Sequence, residues 1–301
     1  MLSVMEIKSR SSSDFSVNPM LHKPTDPLTE LEEYIESEFE ELNANADEYE
    51  IYNITFIDES KNRYSDVVPI DKTRVKIREK DYINANYISY PGVNNTSYIA
   101  TQGPLVNTVN DFWRMVWENN TEIIVMLCNL YEGSKQKCYK YWPNNSNNTN
   151  NTIKKYGDIN VEYVNTVKEG NCIIRNFNVT HKDDANKDDV RVVYQLHYTG
   201  WPDFGVPQNN EEFKQLISLY KKLQSMRVLE NGYDIVHCSA GVGRTGCFIS
   251  IDIGLQLLNL KQYCDVLEIV KGIRKCRQRL VQHIDQYKYV YTVLLDHINS
   301  V

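Results

Sequence analysis

One of the seven cysteines stands at the start of a glycine-rich turn. Cys238 ends an apolar stretch that begins at Asp234, and Arg244 follows six positions later. The backbone N–H groups of small residues in such a turn can point inward as an anion-binding nest. A helix predicted to begin near Thr245 adds the positive end of its dipole. The turn is therefore predicted to hold a phosphate-like anion above the sulfur. Its residues between cysteine and arginine are Ser239, Ala240, Gly241, Val242 and Gly243.

The chemistry predicted for this cysteine loop (residues 238–244) is attack of sulfur on phosphorus. A thiol reacts as its thiolate, which a helix N-terminus and a nearby cation favour. Cys238 has both, with His237 beside it as a further influence. Arg244 carries a planar set of donors that can grip two phosphate oxygens and stabilise the transition state. Thr245 is expected to donate to the thiolate when it leaves, or to cap the helix, and the two roles are compatible.

A dinucleotide-binding loop is an alternative interpretation of the same segment. Gly241, Gly243 and Gly246 match the spacing G-x-G-x-x-G between a strand and a helix. The match comes late in the chain, after no evident first βαβ unit, and Asp265 is poorly placed for the ribose. A Walker A loop would need Lys and Ser or Thr after the last glycine, where Cys247 follows. The spacing alone is weak evidence.

An inert, buried thiol is the second alternative for any cysteine. It fits Cys128, Cys172 and Cys247, which lie within or beside apolar runs, but it leaves the glycines and Arg244 around Cys238 unexplained. The chain has no C-x-x-C pair, and hence neither a zinc ribbon nor a thioredoxin motif. We expect no metal and no cofactor. Free thiols indicate a reducing, intracellular compartment.

The composition bounds the class of protein. A hydrophobic share of 42% and a charged share of 24% are ordinary for a soluble globular chain of one large domain or two small ones. The net charge of −7 argues against general binding of nucleic acid or anionic membranes. No secretory segment opens the chain, and no apolar stretch is long enough to span a bilayer. We expect a cytoplasmic or nuclear location and no nucleic-acid partner.

The elements that must position the loop alternate between helices and strands. Residues 1–24 are Ser-rich and predict a flexible tail, and Asp26 and Pro27 suit the start of a helix. The asparagine tract 144–152 predicts a solvent loop inserted in a domain of residues 25–301. Strands interleaved with helices predict an α/β domain with a mixed central sheet. Helices are expected at 105–120, 210–226, 246–260, 264–277 and 284–299, and strands at 122–127 and 190–197.

Further segments follow one another in the order of a known family. They are Lys61–Tyr64 with Asp66 and Val67, Asp81–Asn86, Thr101–Pro104, Lys137–Cys138 with Tyr141–Pro143, Trp201–Pro207, His237–Gly246 and Gln282–Gln286. Together they resemble the catalytic domain of protein tyrosine phosphatases of the phosphotyrosine-specific, non-receptor kind, over roughly residues 27–300. The asparagine tract suggests a yeast-type member. The resemblance implies a single domain with a highly twisted mixed sheet flanked by helices on both sides, and a monomer that acts on phosphotyrosine proteins.

The resemblance also implies roles for residues outside the cysteine loop. Asp203, in the aspartate loop (residues 201–207) beside Trp201, would protonate the departing phenolate and later accept a proton from water. Gln282 would orient that water. Glu132 occupies the position that pairs with the loop arginine, and Lys137 would contact the aspartate loop or the substrate.

The substrate class follows from the rim of the pocket. An aromatic ring at Tyr64 would stack on a phenyl ring and make the pocket too deep for phosphoserine. Asp66 would hold a backbone N–H of the substrate. Dual-specificity phosphatases generally lack the Lys61–Tyr64 segment, and phosphoinositide phosphatases carry lysines where this chain has Ala240 and Val242. The remaining substrate-binding residues implied are Val67, Phe204, Gln286 and residues 239–243 of the cysteine loop.

Departures from the family pattern leave the reactive groups in place. Gly200 precedes the aspartate loop where a larger polar residue is usual, and it is expected to loosen that loop. Arg279 would narrow or charge the outer rim. A binding protein without turnover is the alternative function, but it would have no use for Cys238, Asp203 and Gln282 together. The sequence therefore favours an active phosphatase.

Overall fold

The three-dimensional structure is a computed structural model that describes residues 27–44, 57–79, 81–93, 97–143, 152–182, 189–261 and 263–300. The predicted N-terminal tail lies outside these residues. So does the predicted asparagine-rich insert, apart from Thr152.

The helices and strands follow each other much as the alternating pattern predicts. The helices are α1 (Pro27–Ala44), α2 (Val109–Glu118), α3 (Asn210–Ser225), α4 (Gly243–Lys261), α5 (Val266–Arg274) and α6 (Ile284–Ser300). The first strands are β1 (Arg74–Ile77), β2 (Asp81–Ile88), β3 (Tyr98–Thr101), β4 (Ile123–Met126), β5 (Tyr131–Glu132) and β6 (Lys135–Gln136). The others are β7 (Ile153–Tyr156), β8 (Ile159–Glu169), β9 (Cys172–His181), β10 (Arg191–Tyr198) and β11 (Asp234–His237).

A nine-stranded mixed sheet forms the centre, in the order β1-β2-β3-β11-β4-β10-β9-β8-β7. Its middle strands run parallel, β11 with β3 and β4, and β10 with β4, whereas the outer pairs are antiparallel. Every residue of β4 and β11 is buried, as expected for parallel strands covered on both faces. Helix α2 contacts β1, β7 and β8, α3 contacts β10, and α4 contacts β11. The predicted α/β class with a mixed central sheet flanked by helices is confirmed.

The central sheet places the cysteine loop and the aspartate loop at the same edge. The parallel strands β3, β4, β10 and β11 all end there, so the segments after them converge. Cys238 directly follows β11, and the aspartate loop follows β10. Ligands of open α/β sheets bind in the crevice beyond the carboxyl ends of such strands.

Three helix boundaries differ from the predicted ones by three or four residues. Helix α2 begins at Val109 and not at 105, because residues 105–108 form a turn in which the Leu105 N–H donates to Thr108 Oγ1 at 2.9 Å. Helix α4 begins at Gly243, which brings Arg244 into its first turn. Helix α5 ends at Arg274, short of the predicted 277. The antiparallel strands β7 to β9 were not predicted from the sequence. The residues of β8 are largely exposed and show no clear alternation of apolar and polar side chains.

Candidate active site

Cys238 lines a cavity of about 460 Å³ at the carboxyl end of β11. The residue is only 5% exposed, and its Sγ accepts a hydrogen bond from the Gly241 N–H at 3.2 Å. Gly241 has φ of +72°, and a Cβ there would lie 2.1 Å from the carbonyl oxygen of Thr101. Only glycine fits both the backbone conformation and the space. The tight turn that the sequence predicts around the sulfur therefore depends on this glycine.

The carbonyl oxygens of the cysteine loop are bound on the side away from the cavity. The Gly103 N–H donates to Ser239 O at 2.9 Å, and Arg277 donates to Ala240 O at 3.1 Å and to Gly241 O at 2.8 Å. In a planar trans peptide the N–H points opposite to the C=O. The N–H groups of the same peptide units consequently point toward the cavity, as an anion-binding nest requires.

Arg277 is the residue that sequence reasoning missed. It is 1% exposed and also donates to Asn86 Oδ1 at 2.9 Å and to Asn84 Oδ1 at 2.8 Å. None of the described residues offers it a carboxylate within ion-pair distance. Burial lowers its pKa to about 10, which leaves it charged at neutral pH. An uncompensated cation thus lies directly behind the cysteine loop. Arg277 lies outside the segments that carry the family resemblance, so nothing in the sequence pointed to it.

Replacing Arg277 with methionine is expected to weaken inorganic phosphate binding about tenfold, because Ala240 and Gly241 would lose their buried donors. Isothermal calorimetry with phosphate measures this directly. Arg274→Met is the matched control, since Arg274 is equally buried but donates to Leu280 and Val281 and not to the loop. We expect the control to lose stability and keep phosphate affinity. Equal losses of affinity in both variants would refute the positioning role of Arg277.

Arg244 lies in the first turn of α4 and joins three parts of the site. Its guanidinium makes two bonds to the carboxylate of Glu132, at 2.5 and 2.9 Å, and donates to Pro202 O at 3.1 Å. Burial disfavours its charge, but the hydrogen bond and charge of Glu132 raise its pKa above the usual value. Lys137 Nζ lies 3.7 Å from Oε2 of the same carboxylate. The pairing of Glu132 with the loop arginine is therefore present.

The aspartate loop lies across the cavity from Cys238. Trp201 is buried and its Nε1 donates to Gly205 O at 3.1 Å, which closes the loop on itself. Asp203 and Phe204 are exposed and line the cavity. Gly200 is required by packing, since a Cβ there would lie 2.7 Å from Tyr198 Oη. The glycine accommodates this tyrosine, so its presence does not by itself imply a loose loop.

The rim of the cavity carries the predicted aromatic and acidic side chains. Tyr64 Oη lies 2.8 Å from Ser239 Oγ, which attaches the ring to the cysteine loop. Asp66 is exposed and pairs with Arg279 at 2.8 Å, so a substrate N–H would share this carboxylate with a guanidinium. Val67 is buried beneath them. Arg279 therefore lies at the outer rim, where the carboxylate of Asp66 balances its charge.

Gln282 and Gln286 form another part of the wall of the active-site cavity. Gln286 is mostly buried, and its Oε1 accepts from the N–H groups of Gln282 at 2.9 Å and His283 at 3.2 Å. Gly243 approaches the Gln286 amide so closely that a Cβ would lie 2.7 Å from it. Gln286 thus fixes the backbone that presents the exposed side chain of Gln282 to the cavity.

His237 acts by hydrogen bonding and not by charge. Burial lowers its pKa to about 4, so the ring is neutral at physiological pH. Its Nδ1 lies 3.1 Å from Cys238 O and its Nε2 lies 2.8 Å from Tyr141 Oη. A neutral ring fits this arrangement if Nδ1–H donates to the carbonyl and Nε2 accepts from the tyrosine. Gln195 Nε2 in turn donates to Tyr141 Oη at 2.7 Å. Tyr141 belongs to a matched segment in which it was given no role, and Gln195 was not singled out from the sequence.

Thr245 does not cap the helix. It is the third residue of α4 and fully buried, and its Oγ1 has no hydrogen-bond partner among the described residues. Cys128, Cys172 and Cys247, the cysteines interpreted as structural, are buried. Burial raises the pKa of Cys172 to about 12 and that of Cys247 well above its usual value, and a hydrogen bond with Cys138 together with burial does the same for Cys128. These thiols are protonated at neutral pH.

Comparisons with known proteins show the family to which the chain belongs. The family model described as protein-tyrosine phosphatase matches residues 58–296. Receptor-type tyrosine-protein phosphatase eta of Gallus gallus is 36% identical over 97% of this chain and 21% of its own length. Tyrosine-protein phosphatase 69D of Drosophila melanogaster is 41% identical over 78% of this chain and 16% of its own. Tyrosine-protein phosphatase Lar-like of Caenorhabditis elegans is 37% identical over 92% of this chain and 13% of its own.

The chain belongs to the protein-tyrosine phosphatase family, as its motifs indicated. It spans about a fifth, or less, of the length of these curated relatives. In the part of the chain that the structure describes, no helix combines the length and the apolar character needed to cross a bilayer.

Proposed function

We propose that the chain hydrolyses phosphotyrosine in proteins through a phospho-cysteine intermediate. This proposal rests on the set of side chains that line one cavity. Cys238 lies there beneath inward-facing N–H groups, together with Arg244, Asp203 and Gln282. A nucleophile, an oxyanion site, a proton donor and a water-binding amide in one place are the parts that phosphoryl transfer through sulfur needs.

In the first step, Cys238 Sγ forms a bond to phosphorus as the bond to the tyrosine oxygen breaks. Asp203 gives its proton to that oxygen, so that tyrosine leaves neutral. Arg244 and the loop N–H groups hold the equatorial phosphate oxygens, on which charge accumulates. Glu132 fixes the guanidinium in a bidentate pair and so limits the reorganisation needed during the reaction.

In the second step, a water molecule held by the Gln282 amide attacks phosphorus. Asp203, now ionised, accepts a proton from the water as the sulfur–phosphorus bond breaks. Inorganic phosphate and the Cys238 thiolate result. The buried Thr245 hydroxyl, which has no other partner among the described residues, is the proposed donor to the returning sulfur.

Phosphotyrosine is favoured over shorter phosphoamino acids by the depth of the cavity. Cys238 is nearly buried at its base, whereas Tyr64 and Phe204 stand exposed at its rim. A phenyl ring spans that depth and stacks between aromatic side chains, but a phosphoserine does not bring its phosphorus within reach of the sulfur.

Hydrolysis of matched peptides in the presence of EDTA tests this function. We expect the phosphotyrosine peptide to be cleaved with undiminished rate in EDTA, and the phosphoserine peptide of the same sequence to be cleaved at least about 100-fold more slowly. Activity that disappears with the chelator would contradict the thiolate mechanism. Equal rates on both peptides would contradict the substrate class.

The cellular compartment of the protein and its subgroup within the family are also proposals. The reaction needs a reduced thiol, and all seven cysteines are free, which supports a reducing compartment such as the cytoplasm. The assignments to the non-receptor, yeast-type kind, to a monomer and to a protein without nucleic-acid partners stay predictions of the sequence.

A further inference from the structure

A second cavity, of about 490 Å³, lies where β8 and β9 meet the segment that follows β6. Its lining includes Trp142, Tyr163, Lys140, Lys168 and Arg175. Among the described residues, none lines both the active-site cavity and this second cavity. Its volume falls in the usual range of ligand pockets, about 300–1,000 Å³, and the proposed reaction gives it no role.

The cavity is lined by cations that lack counter-ions. Lys140, Lys168 and Arg175 line it, no carboxylate does, and within the described ranges none of the three has a carboxylate at ion-pair distance. The adjoining residues 144–151 contain no Asp or Glu either. Burial lowers the pKa of Lys140 and of Arg175, and the charge of Arg175 lowers that of Lys140 further. An anion would relieve both effects.

An indole ring organises two of these cations. The guanidinium carbon of Arg175 lies 4.5 Å, and Nζ of Lys140 5.5 Å, from the ring centre of Trp142. Arg175 Nη1 donates to Gln195 and His197, whereas its Nε and Nη2 have no partner in the described part of the chain. These donors are left for a ligand.

Arg191 also stacks on a tryptophan, but unlike Arg175 it has a carboxylate partner among the described residues. Arg191 lies 3.6 Å over the ring of Trp117, but it pairs with Asp189 and donates to Trp117 O and Asn120. Its position is explained by contacts within the protein. The contacts of Arg175 leave part of its guanidinium and all of its charge uncompensated.

Arg175 also begins a chain of hydrogen bonds that ends at the cysteine loop. Its Nη1 donates to Gln195 Oε1 at 2.7 Å, and Gln195 Nε2 donates to Tyr141 Oη at 2.7 Å. Tyr141 Oη lies 2.8 Å from His237 Nε2, whose ring contacts the Cys238 carbonyl at 3.1 Å. Such a network gives a physical route by which a shift of the guanidinium can alter the loop.

We propose that this cavity is a second ligand site, which takes a small molecule with a phosphate- or sulfonate-like group on a planar apolar ring, and that its occupancy changes anion binding at Cys238 through the Gln195–Tyr141–His237 chain. The apolar wall of Trp142 and Tyr163 receives the ring, and Lys140, Lys168 and Arg175 receive the anionic group. The site itself does not depend on the proposed function.

Naphthalene-1-sulfonate is a suitable probe. The indole N–H resonances of the four tryptophans in an NMR spectrum of the ¹⁵N-labelled protein report where it binds. We expect the Trp142 signal, assigned with Trp142→Phe, to shift in a saturable way. The Trp201 signal reports the active site, because Trp201 packs near Arg244. A shift confined to Trp201 would overturn the proposal and identify the probe as an active-site ligand.

Charge variants test the recognition. Lys140→Glu and Arg175→Gln are expected to raise the dissociation constant of the probe at least about tenfold, whereas Lys222→Glu on exposed helix α3 leaves it unchanged. Near-UV circular dichroism checks that each variant is folded. Unchanged affinity in folded Lys140→Glu, or equal affinity for neutral 1-naphthalenemethanol, would overturn the anion site.

The coupling between the second cavity and anion binding at Cys238 is measured without catalytic turnover. A negative result for this coupling is therefore distinct from a negative result for the proposed function. Inorganic phosphate is titrated while the Trp201 signal is followed, with and without saturating probe. We expect the dissociation constant of phosphate to change by at least about twofold, and phosphate to change that of the probe by the same factor. Tyr141→Phe should bind the probe and lose this coupling. Unaltered phosphate affinity in the unsubstituted protein would overturn the transmission.

Discussion

Replacing Cys238 with serine is expected to lower kcat for a phosphotyrosine peptide by about 10⁵-fold or more, and to leave peptide binding within a few-fold. A serine hydroxyl keeps its proton at neutral pH and is a poor nucleophile. The loop N–H groups and Arg244 stay in place to bind phosphate. Stopped hydrolysis assays give kcat, and calorimetry gives the affinity.

Cys172→Ser is the matched control for this loss. Cys172 is buried in β9 and its thiol is protonated at neutral pH, because burial raises its pKa to about 12. We expect full kcat and at most a modest loss of stability. The mechanism would be wrong if Cys238→Ser kept more than about a hundredth of the activity. It would be equally wrong if quenched turnover of the unaltered protein carried no phosphate on Cys238.

Asp203→Ala is expected to lower kcat for a phosphotyrosine peptide by about 10²- to 10⁴-fold, with little change in the dissociation constant. Asp203 is exposed on the aspartate loop, and none of its contacts with other described residues is a hydrogen bond. The loop is held instead by the hydrogen bonds of Trp201 to Gly205 and of Arg244 to Pro202. Removal of the Asp203 carboxyl should therefore take away a proton donor and leave the cavity intact. Steady-state kinetics give kcat, and calorimetry gives the dissociation constant.

The leaving group supplies the control for Asp203. An aryl phosphate with a strongly acidic phenol needs less protonation as it departs, so the effect of Asp203→Ala should shrink along a series of increasingly acidic phenols. A constant effect across the series would show that Asp203 acts in some way other than proton transfer. A collapse of binding with unchanged kcat would make the residue structural.

The sequence could predict the parts of the site that depend on local backbone chemistry. The glycines, the cysteine and the arginine of the cysteine loop lie within a few residues of one another, and a strand followed by a helix largely fixes their relative positions. Gly241 shows why, since its positive φ and its contact with Thr101 leave no alternative residue. The long amphipathic and fully buried segments were predictable for the same reason.

Other features depend on residues that are far apart in the chain. Arg277 reaches Ala240 and Gly241 only because α5 ends at Arg274 and the chain turns back toward β2. No periodicity in the sequence indicates that a buried cation is needed there. The start of α2 was mistaken because Thr108 bonds to the turn before it and so delays the helix.

The sequence by itself determined the alternation of strands and helices, and it predicted the reactive group and the anion-binding turn, since each depends on neighbouring residues. Tertiary structure alone decided that His237 is neutral, that Asp66 is shared with Arg279, and that Arg175 lines a second cavity. Burial, ion pairing and the lining of a cavity are properties of the space around a side chain. That space is defined only when distant strands and helices pack together.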